Sequence, residues 1–497
     1  MKTSNLFAWA LCLAVLFSSC GSPAPAQAPQ PFIIITAAPN ASPTPTPFQP
    51  SLASPTAPLL SNSGLNPAPQ QILATETLFP TTTPQASPTA TAPIEQLFPT
   101  QAAPPPAESL VNTTALPPLT TENDTINFLL VGSDRRPTGT SHRTDTLLIA
   151  VVWYREGQVS LISIPRDTWL YIPTVGMQRI NTAYQSGEGV YPGGGMGLLK
   201  DTILQNFGIR IDHTAMVEFD GFRRIVDTLG GVDVPISCPY TDWRLISPGL
   251  DENDENNWWL YTVGPGQVHM DGDLALWYAR SRSKSSDFDR GRRQQEVIRT
   301  LFQKALQTGT FTKIPQLYND FSSTVITDMS LTDMLSLAPY AVNFTNANIR
   351  SYYIRPPYVL PWTTPGGAAV LLPQDSLSSM LVEATTLSTY AADRETVTIE
   401  VQNGSYFDTM ETLAASRLNY AGYETVTSPA DNRNYGSTVL VDYTTAQDPN
   451  QRQTVLNVLG TSSANVLSLP DPNSKIQYRV IIGSDYEACF RPEALAH

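Results

Sequence analysis

Cysteine is scarce in this chain. There are four in 497 residues (Cys12, Cys20, Cys238 and Cys489), with no Cys-x-x-Cys pair. The four histidines, His142, His213, His269 and His497, are equally scattered, so the ligand spacing of a structural zinc site is absent. Basic residues are few as well, 30 against 44 acidic ones, for a net charge of -14. An acidic chain without an extended basic face is not a nucleic-acid binder. Between Gly21 and Pro118 charge almost vanishes, leaving Glu76, Glu95 and Glu108, while 23 of the 43 prolines fall in that stretch. It cannot bury enough apolar surface to offset ordering, and residues 21–121 read as a disordered, partly polyproline-like tether. Its r.m.s. span would be on the order of 55 Å.

Long apolar runs are missing too. Leu6 to Phe17, preceded by Lys2, falls short of the about 20 residues that span a bilayer. It ends in Leu16-Phe-Ser-Ser-Cys20, so residues 1–20 read as a lipoprotein-type signal with Cys20 as the lipidation site. An ordinary secretory signal and an uncleaved anchor are the other readings. All three export the chain, and the first puts it on the extracytoplasmic face of the membrane. Cys238 and Cys489 then remain, and spacing does not decide whether they pair.

Against this background one stretch stands out. From Tyr278 to Gln295 the chain turns basic, with Arg280, Arg282, Lys284, Arg290, Arg292 and Arg293 against Asp287 and Asp289. Arginine grips phosphate through paired donors and stays charged at any physiological pH. A local cluster in an acidic protein therefore points to a site for a concentrated anion. From Arg290 onward, Arg293, Gln294, Val297, Ile298, Leu301 and Ala305 share one helical face. The apolar end of that face packs inward, which aims its polar start at the site. Asp287 or Asp289 can cap the helix, whose free amides also favour phosphate. Arg292 falls off the face and reads as solvated.

Upstream, Ile126–Val131, Thr146–Trp153 and Val159–Ile164 read as buried strands, the last two joined by the turn Tyr154-Arg-Glu-Gly157. Asp134, Arg135, Arg143, Asp145, Arg166 and Asp167 all fall at strand ends or linking loops, where α/β sheets hold ligands. Two aspartates among arginines suit a hard divalent cation that also touches phosphate oxygens. The apolar residues between Lys200 and Val234 read as ordinary core. Residues 238–263, with Trp243, Trp258, Trp259 and Asp251-Glu-Asn-Asp-Glu255, read as an acidic, aromatic surface loop.

Seven motifs stand in order: Gly132-Ser-Asp-Arg135, Arg143-Thr-Asp-Thr146, Ser163-Ile-Pro-Arg-Asp167, Arg179-Ile-Asn-Thr-Ala-Tyr184, Gly230-Gly-Val-Asp-Val234, Tyr278-Ala-Arg-Ser-Arg282 and Asp287-Phe-Asp-Arg-Gly-Arg-Arg-Gln-Gln295. Together they resemble the LytR-CpsA-Psr family of cell-wall glycopolymer ligases, over residues 122–395. The resemblance implies an α/β fold, a mixed central sheet flanked by helices in three layers, with an apolar tunnel for a polyprenyl tail. It implies transfer of a glycopolymer from a polyprenyl-pyrophosphate carrier to peptidoglycan, with release of polyprenyl phosphate. Asp134 and Asp145 would hold magnesium (or manganese). Arg143, Arg166, Arg280, Arg282 and Arg290 would clamp the pyrophosphate with help from Gln294. Asp134, Asp145 and Arg280 would be the catalytic set. An acceptor sugar hydroxyl would attack the sugar carbon, with Asp134 the first candidate to take its proton. Two alternatives stay open: a polyprenyl-pyrophosphate phosphatase, and a non-catalytic envelope lipoprotein that holds anionic carrier lipid or polymer.

A second region, 396–490, alternates strands and helices in the order β-α-β-β-α-β, which suggests a small α+β domain. Val401-Gln-Asn-Gly-Ser405 and Ile481-Ile-Gly-Ser-Asp-Tyr486 resemble the C-terminal domain appended to LytR-type proteins. It shows no catalytic set, and binding of wall glycan or a partner is the default expectation.

Overall fold

The computed structural model describes residues 116–119, 125–133, 144–307, 315, 318, 324–345, 347–388, 397–446, 448–461 and 465–489. The signal, Cys20 and almost all of the proposed tether lie outside the described residues, as do Asp134, Arg135 and Arg143. No helix among the described residues is long and apolar enough to cross a membrane.

Parity along one strand decides the architecture. In β2 (Thr144–Trp153), Leu147, Ile149, Val151 and Trp153 enter one apolar core, while Leu148, Ala150 and Val152 enter another. Successive strand side chains point to opposite faces, so a strand apolar on both must be covered on both. Its neighbours are β1 (Thr125–Ser133) and β3 (Gln158–Ile164), each antiparallel to it. β4 (His213–Glu218) runs parallel to β1, and β5 (Val325–Thr327) closes that edge antiparallel to β4. On the other edge β6 (Ile349–Tyr353) runs parallel to β3, giving the order β5-β4-β1-β2-β3-β6.

Helix α1 (Gly194–Phe207) covers one face through Leu198, Leu199, Ile203 and Phe207. The opposite face is covered by α2 (Phe219–Thr228), α3 (Gly272–Arg280) and α4 (Asp287–Gln307), whose Val297, Leu301, Phe302 and Ala305 enter the core. The expected mixed sheet between helices is thus observed. Between Lys200 and Val234, Ile203, Phe207, Ile209, Ile211, Met216, Ile225, Val226 and Leu229 go to the two cores, as the sequence indicates.

Residues 238–263 are not a loop. Tyr240–Leu245 pairs antiparallel with Trp258–Val263 in a hairpin, and only its tip carries the acidic run. Alternation at Tyr240, Asp242 and Val263, all buried, marks the strands; the tryptophans and aspartates had masked it.

The second domain has its own core, built on β7 (Thr398–Asn403), β8 (Glu424–Pro429), β9 (Val439–Asp442), β10 (Val466–Ser468) and β11 (Tyr478–Ile482). They lie in the order β8-β7-β11-β9-β10. Helices α5 (Met410–Tyr420) and α6 (Pro449–Leu459) pack on it. The expected order holds except for β10, three residues too short to show alternation. Cys238 and Cys489 are bonded, joining the second domain to the first.

Candidate active site

β1, β3 and β6 finish at the same end of the sheet, where β2 begins, because β2 runs antiparallel to β1 and β3. That end of the sheet therefore gathers Asp145 from β2, the Ser163–Pro165 corner where β3 ends, and Tyr353 and Ile354 where β6 ends. The first turn of α4 lies across them. Together they line an open cleft that mixes polar groups, Asp145, Asp287, Arg290 and Gln294, with apolar ones, Leu147, Ile164, Pro165, Phe288 and Ile354.

Arginines converge on this cleft through shared carboxylates. Arg166 donates to Asp145 Oδ1 at 2.7 Å, with Asp167 at 3.5 Å and Asp287 at 3.8 Å from its Nε. Asp287 also receives Arg282 at 3.2 Å and Arg290 at 3.3 Å. Burial alone would lower the Arg166 pKa, but hydrogen bonding and attraction from Asp145, then Asp167 and Asp287, raise it. Arg290, 6% exposed, is different. Burial pulls its pKa down, Asp287 and Asp145 oppose this, and Arg166 and Arg282 add to it. A guanidinium always keeps its proton, so the lowered value records a desolvated cation that an incoming anion would relieve.

The structure refines the expectations for this region at three places. At the start of α4, Ser286 Oγ accepts from the Asp289 amide at 3.2 Å, and the Asp287 and Asp289 carboxylates both bind arginines. Arg292 is not solvated, but pairs with Asp289 at 2.9 Å and with Glu296. Gln294 lines the cleft, yet its amide also ties the layers together, donating to Thr146 Oγ1 at 2.9 Å and Ala279 O at 3.1 Å.

Arg280 ends α3, two residues before Arg282, and its guanidinium carbon lies 4.5 Å from the Phe219 ring centroid. Arg166, Arg282, Arg290, Gln294 and Asp145 are brought together; Asp134 and Arg143 flank the paired strand ends Ser133 and Thr144 in sequence but lie outside the described residues. Among the described residues no three His, Cys, Asp or Glu side chains gather as a metal site.

Sequence reasoning missed the support behind the arginines. Buried Asp242 accepts from the Ser283 amide at 2.8 Å and from the Tyr240 hydroxyl at 2.7 Å, and Ser281 Oγ donates to that hydroxyl at 3.1 Å. The hairpin thus holds the Arg280–Ser283 segment in place. An aspartate two residues beyond a tyrosine in an aromatic stretch gave no signal of this, because the partners lie about forty residues away.

A LytR_cpsA_psr family model matches residues 100–371, and a LytR_C model (LytR cell envelope-related transcriptional attenuator) matches residues 396–486. The polyisoprenyl-teichoic acid–peptidoglycan teichoic acid transferase TagU of Oceanobacillus iheyensis is 32% identical over 230 residues, which are 46% of this chain and 65% of that protein. The corresponding transferase TagV of Bacillus subtilis is 28% identical over 229 residues, 45% of this chain and 54% of that one. The chain thus spans less than two thirds of the length of these curated relatives. The crystal structure of B. subtilis TagV superposes with a TM-score of 0.44 at 24% identity, covering 53% of this chain and 96% of that one.

Proposed function

Since the chain belongs to the LytR_cpsA_psr family, whose model spans more than half of it, we propose that it attaches a glycopolymer to peptidoglycan from a polyprenyl-pyrophosphate carrier. The observation that carries this reading is one cleft lined by both charged and apolar groups. Arg290 lines it, Arg166 and Arg282 join it through Asp145 and Asp287, and Leu147, Ile164, Pro165, Phe288 and Ile354 supply apolar surface. A pyrophosphate joined to a hydrocarbon chain needs both: guanidinium donors for the head and apolar surface for the first isoprene units. Together with the polyisoprenyl substrate in the names of TagU and TagV, this favours a lipid-linked donor over a free nucleotide sugar.

Atom balance fixes the bond that breaks. Attack on the sugar carbon would release the whole pyrophosphate with the lipid. Release of polyprenyl phosphate instead requires the acceptor hydroxyl to attack the phosphorus nearest the glycan. The bridging P–O bond then breaks, its electron pair leaves with the polyprenyl phosphate, and the glycan is joined through a phosphodiester. Such transfer depends on positioning and charge neutralisation more than on covalent help from protein. Arg290 and Arg166 neutralise the departing phosphate, and Arg282, half-buried at the rim, orients the glycan-side phosphoryl group. Arg280 and Arg143 complete the clamp. Asp134 takes the acceptor proton.

The donor set fits magnesium or manganese, which takes one or two carboxylates and fills its shell with phosphate oxygens and water. Asp145, facing the cleft, would hold it with Asp134, and the cation would neutralise charge on the pyrophosphate. The same reading places the protein outside the cytoplasm, tethered to the membrane through Cys20, with lipid-linked glycan and peptidoglycan as its partners.

The test is incubation of the full chain with magnesium, a lipid-linked glycan and peptidoglycan fragments. Covalent glycan–peptidoglycan product that disappears in Arg290→Ala supports the ligase. Polyprenyl phosphate released without joined glycan makes the protein a phosphatase, and binding with no product makes it a carrier-lipid holder.

A further inference from the structure

The second domain is fastened to the first directly behind the cleft. Tyr420, the last residue of α5, lies over Arg299 of α4, with the guanidinium carbon 3.8 Å from the ring centroid. Arg299 is 2% exposed and donates through Nη1 to Ile349 O at 2.9 Å and Ser351 Oγ at 3.1 Å, both on β6. One turn earlier on the same helix, Gln295 donates to Ser163 Oγ at 2.8 Å and Tyr352 O at 3.1 Å. Helix α4 is therefore riveted to β3 and β6 at two successive points, just beyond the turn that carries Arg290 and Gln294. The strand it is riveted to ends at Tyr353 and Ile354, in the wall of the cleft. The outer rivet is covered by a ring that belongs to the second domain.

A second attachment leads to the other half of the site. Arg417 of α5 donates to Ala488 O, and Cys489 is bonded to Cys238. Cys238 is two residues from Tyr240, and so four from Asp242, which holds the Arg282 segment. Between these points the Gln267 amide donates to Thr409 Oγ1 at 3.3 Å, at the start of α5.

We propose that the second domain is a positioning element for the anion site, and that it acts through the Tyr420 ring on Arg299. A stacked, desolvated cation–π contact is one of the stronger non-covalent contacts between planar groups. Its geometry fixes where Arg299, and with it α4, sits on β6. Among the described residues the Tyr420 hydroxyl is enclosed with no hydrogen-bond partner, so the ring and not the hydroxyl carries the contact. Arg290 lies nine residues before Arg299 on one continuous helix. A small shift of that helix moves Arg290 relative to Asp145 and Asp287, and sub-ångström placement matters in phosphoryl chemistry. Whatever loads or loosens the second domain thereby changes the grip on pyrophosphate without touching the cleft.

This inference rests on the reading of the cleft as a pyrophosphate site, and the experiment separates the two. Farnesyl pyrophosphate with magnesium is titrated calorimetrically into full-length parent, Tyr420→Phe and Tyr420→Leu, and amide exchange is followed over residues 287–299. The expectation is a loss of affinity of about fivefold or more in Tyr420→Leu, faster exchange in the first turns of α4, and both restored in Tyr420→Phe. If Tyr420→Leu fails to fold, Arg299→Lys removes the same stack and is expected to reproduce the loss. Parent-like affinity and exchange in Tyr420→Leu overturn the proposal, as does an equal loss in Tyr420→Phe. If the parent does not bind the probe, the cleft reading falls and exchange alone decides: faster in Tyr420→Leu supports positioning, unchanged overturns it.

Discussion

Arg293 lies over Tyr240, its guanidinium carbon 4.0 Å from the ring centroid, with none of the residue exposed. From there it donates to Tyr278 O, Ser281 O and Ser285 Oγ and pairs with Asp289 at 3.1 Å. In a run of basic residues it is the one that holds the others' backbone. Replacing it with methionine takes the donor from two carbonyls, while Asp289 keeps Arg292. Arg293→Met is expected to cost about 1–3 kcal/mol in urea denaturation for each carbonyl left unpaired. It should also weaken farnesyl pyrophosphate binding, although Arg293 does not line the cleft.

Asp287 restrains three arginines at once, so it competes with any anion for them. Asp287→Asn is expected to tighten binding of inorganic pyrophosphate severalfold and to steepen its salt dependence, because one opposing charge is gone. Turnover should fall, since Arg166, Arg282 and Arg290 lose their common anchor. Calorimetry at two ionic strengths, paired with product formation, separates the two effects.

Asp328, just beyond β5, supplies a pH signature far from the cleft. Burial raises its pKa, but hydrogen bonds from His213, Lys200 and the Thr214 amide outweigh that and hold the carboxyl well below the usual range. A depressed carboxylate adds stability above its unfolded pKa, about 3.9, and loses it as pH falls through the folded value. Asp328→Asn should therefore be less stable than the parent at pH 7. The difference in denaturation midpoint should shrink steadily below pH 4.

The bond between Cys238 and Cys489 spans 251 residues of sequence. Replacing both cysteines with serine is expected to lower stability by about 2–5 kcal/mol. Limited proteolysis should then release the second domain at lower protease than in the parent, while unfolding of the first domain's sheet is little altered.

Much of this arrangement was legible in sequence, and for identifiable reasons. β1, β2 and β3 declared themselves by apolar runs, and the strand-end placement of Asp145 and Arg166 followed from where those runs stop. The clustering of Arg282, Arg290 and Gln294 followed from charge and helical spacing. What stayed hidden depended on partners remote in the chain. Gln295 and Arg299 fall off the apolar face of α4 and look solvent-facing; they are buried because β3 and β6 accept their hydrogen bonds and Tyr420 covers one of them. Arg292 looked free for the same reason, its partner Glu296 being one turn away on a face thought to be wet.

Disulfides persist only where thiols are not continually reduced. In a reducing cytosol Cys238 and Cys489 would be two separate thiols, and the tail around Ala488 would hold to its neighbour by weak contacts alone. Only an oxidising compartment closes that seam, so the finished two-domain molecule is a product of its surroundings, and a copy held under reducing conditions would carry the same residues without the covalent brace behind its arginines.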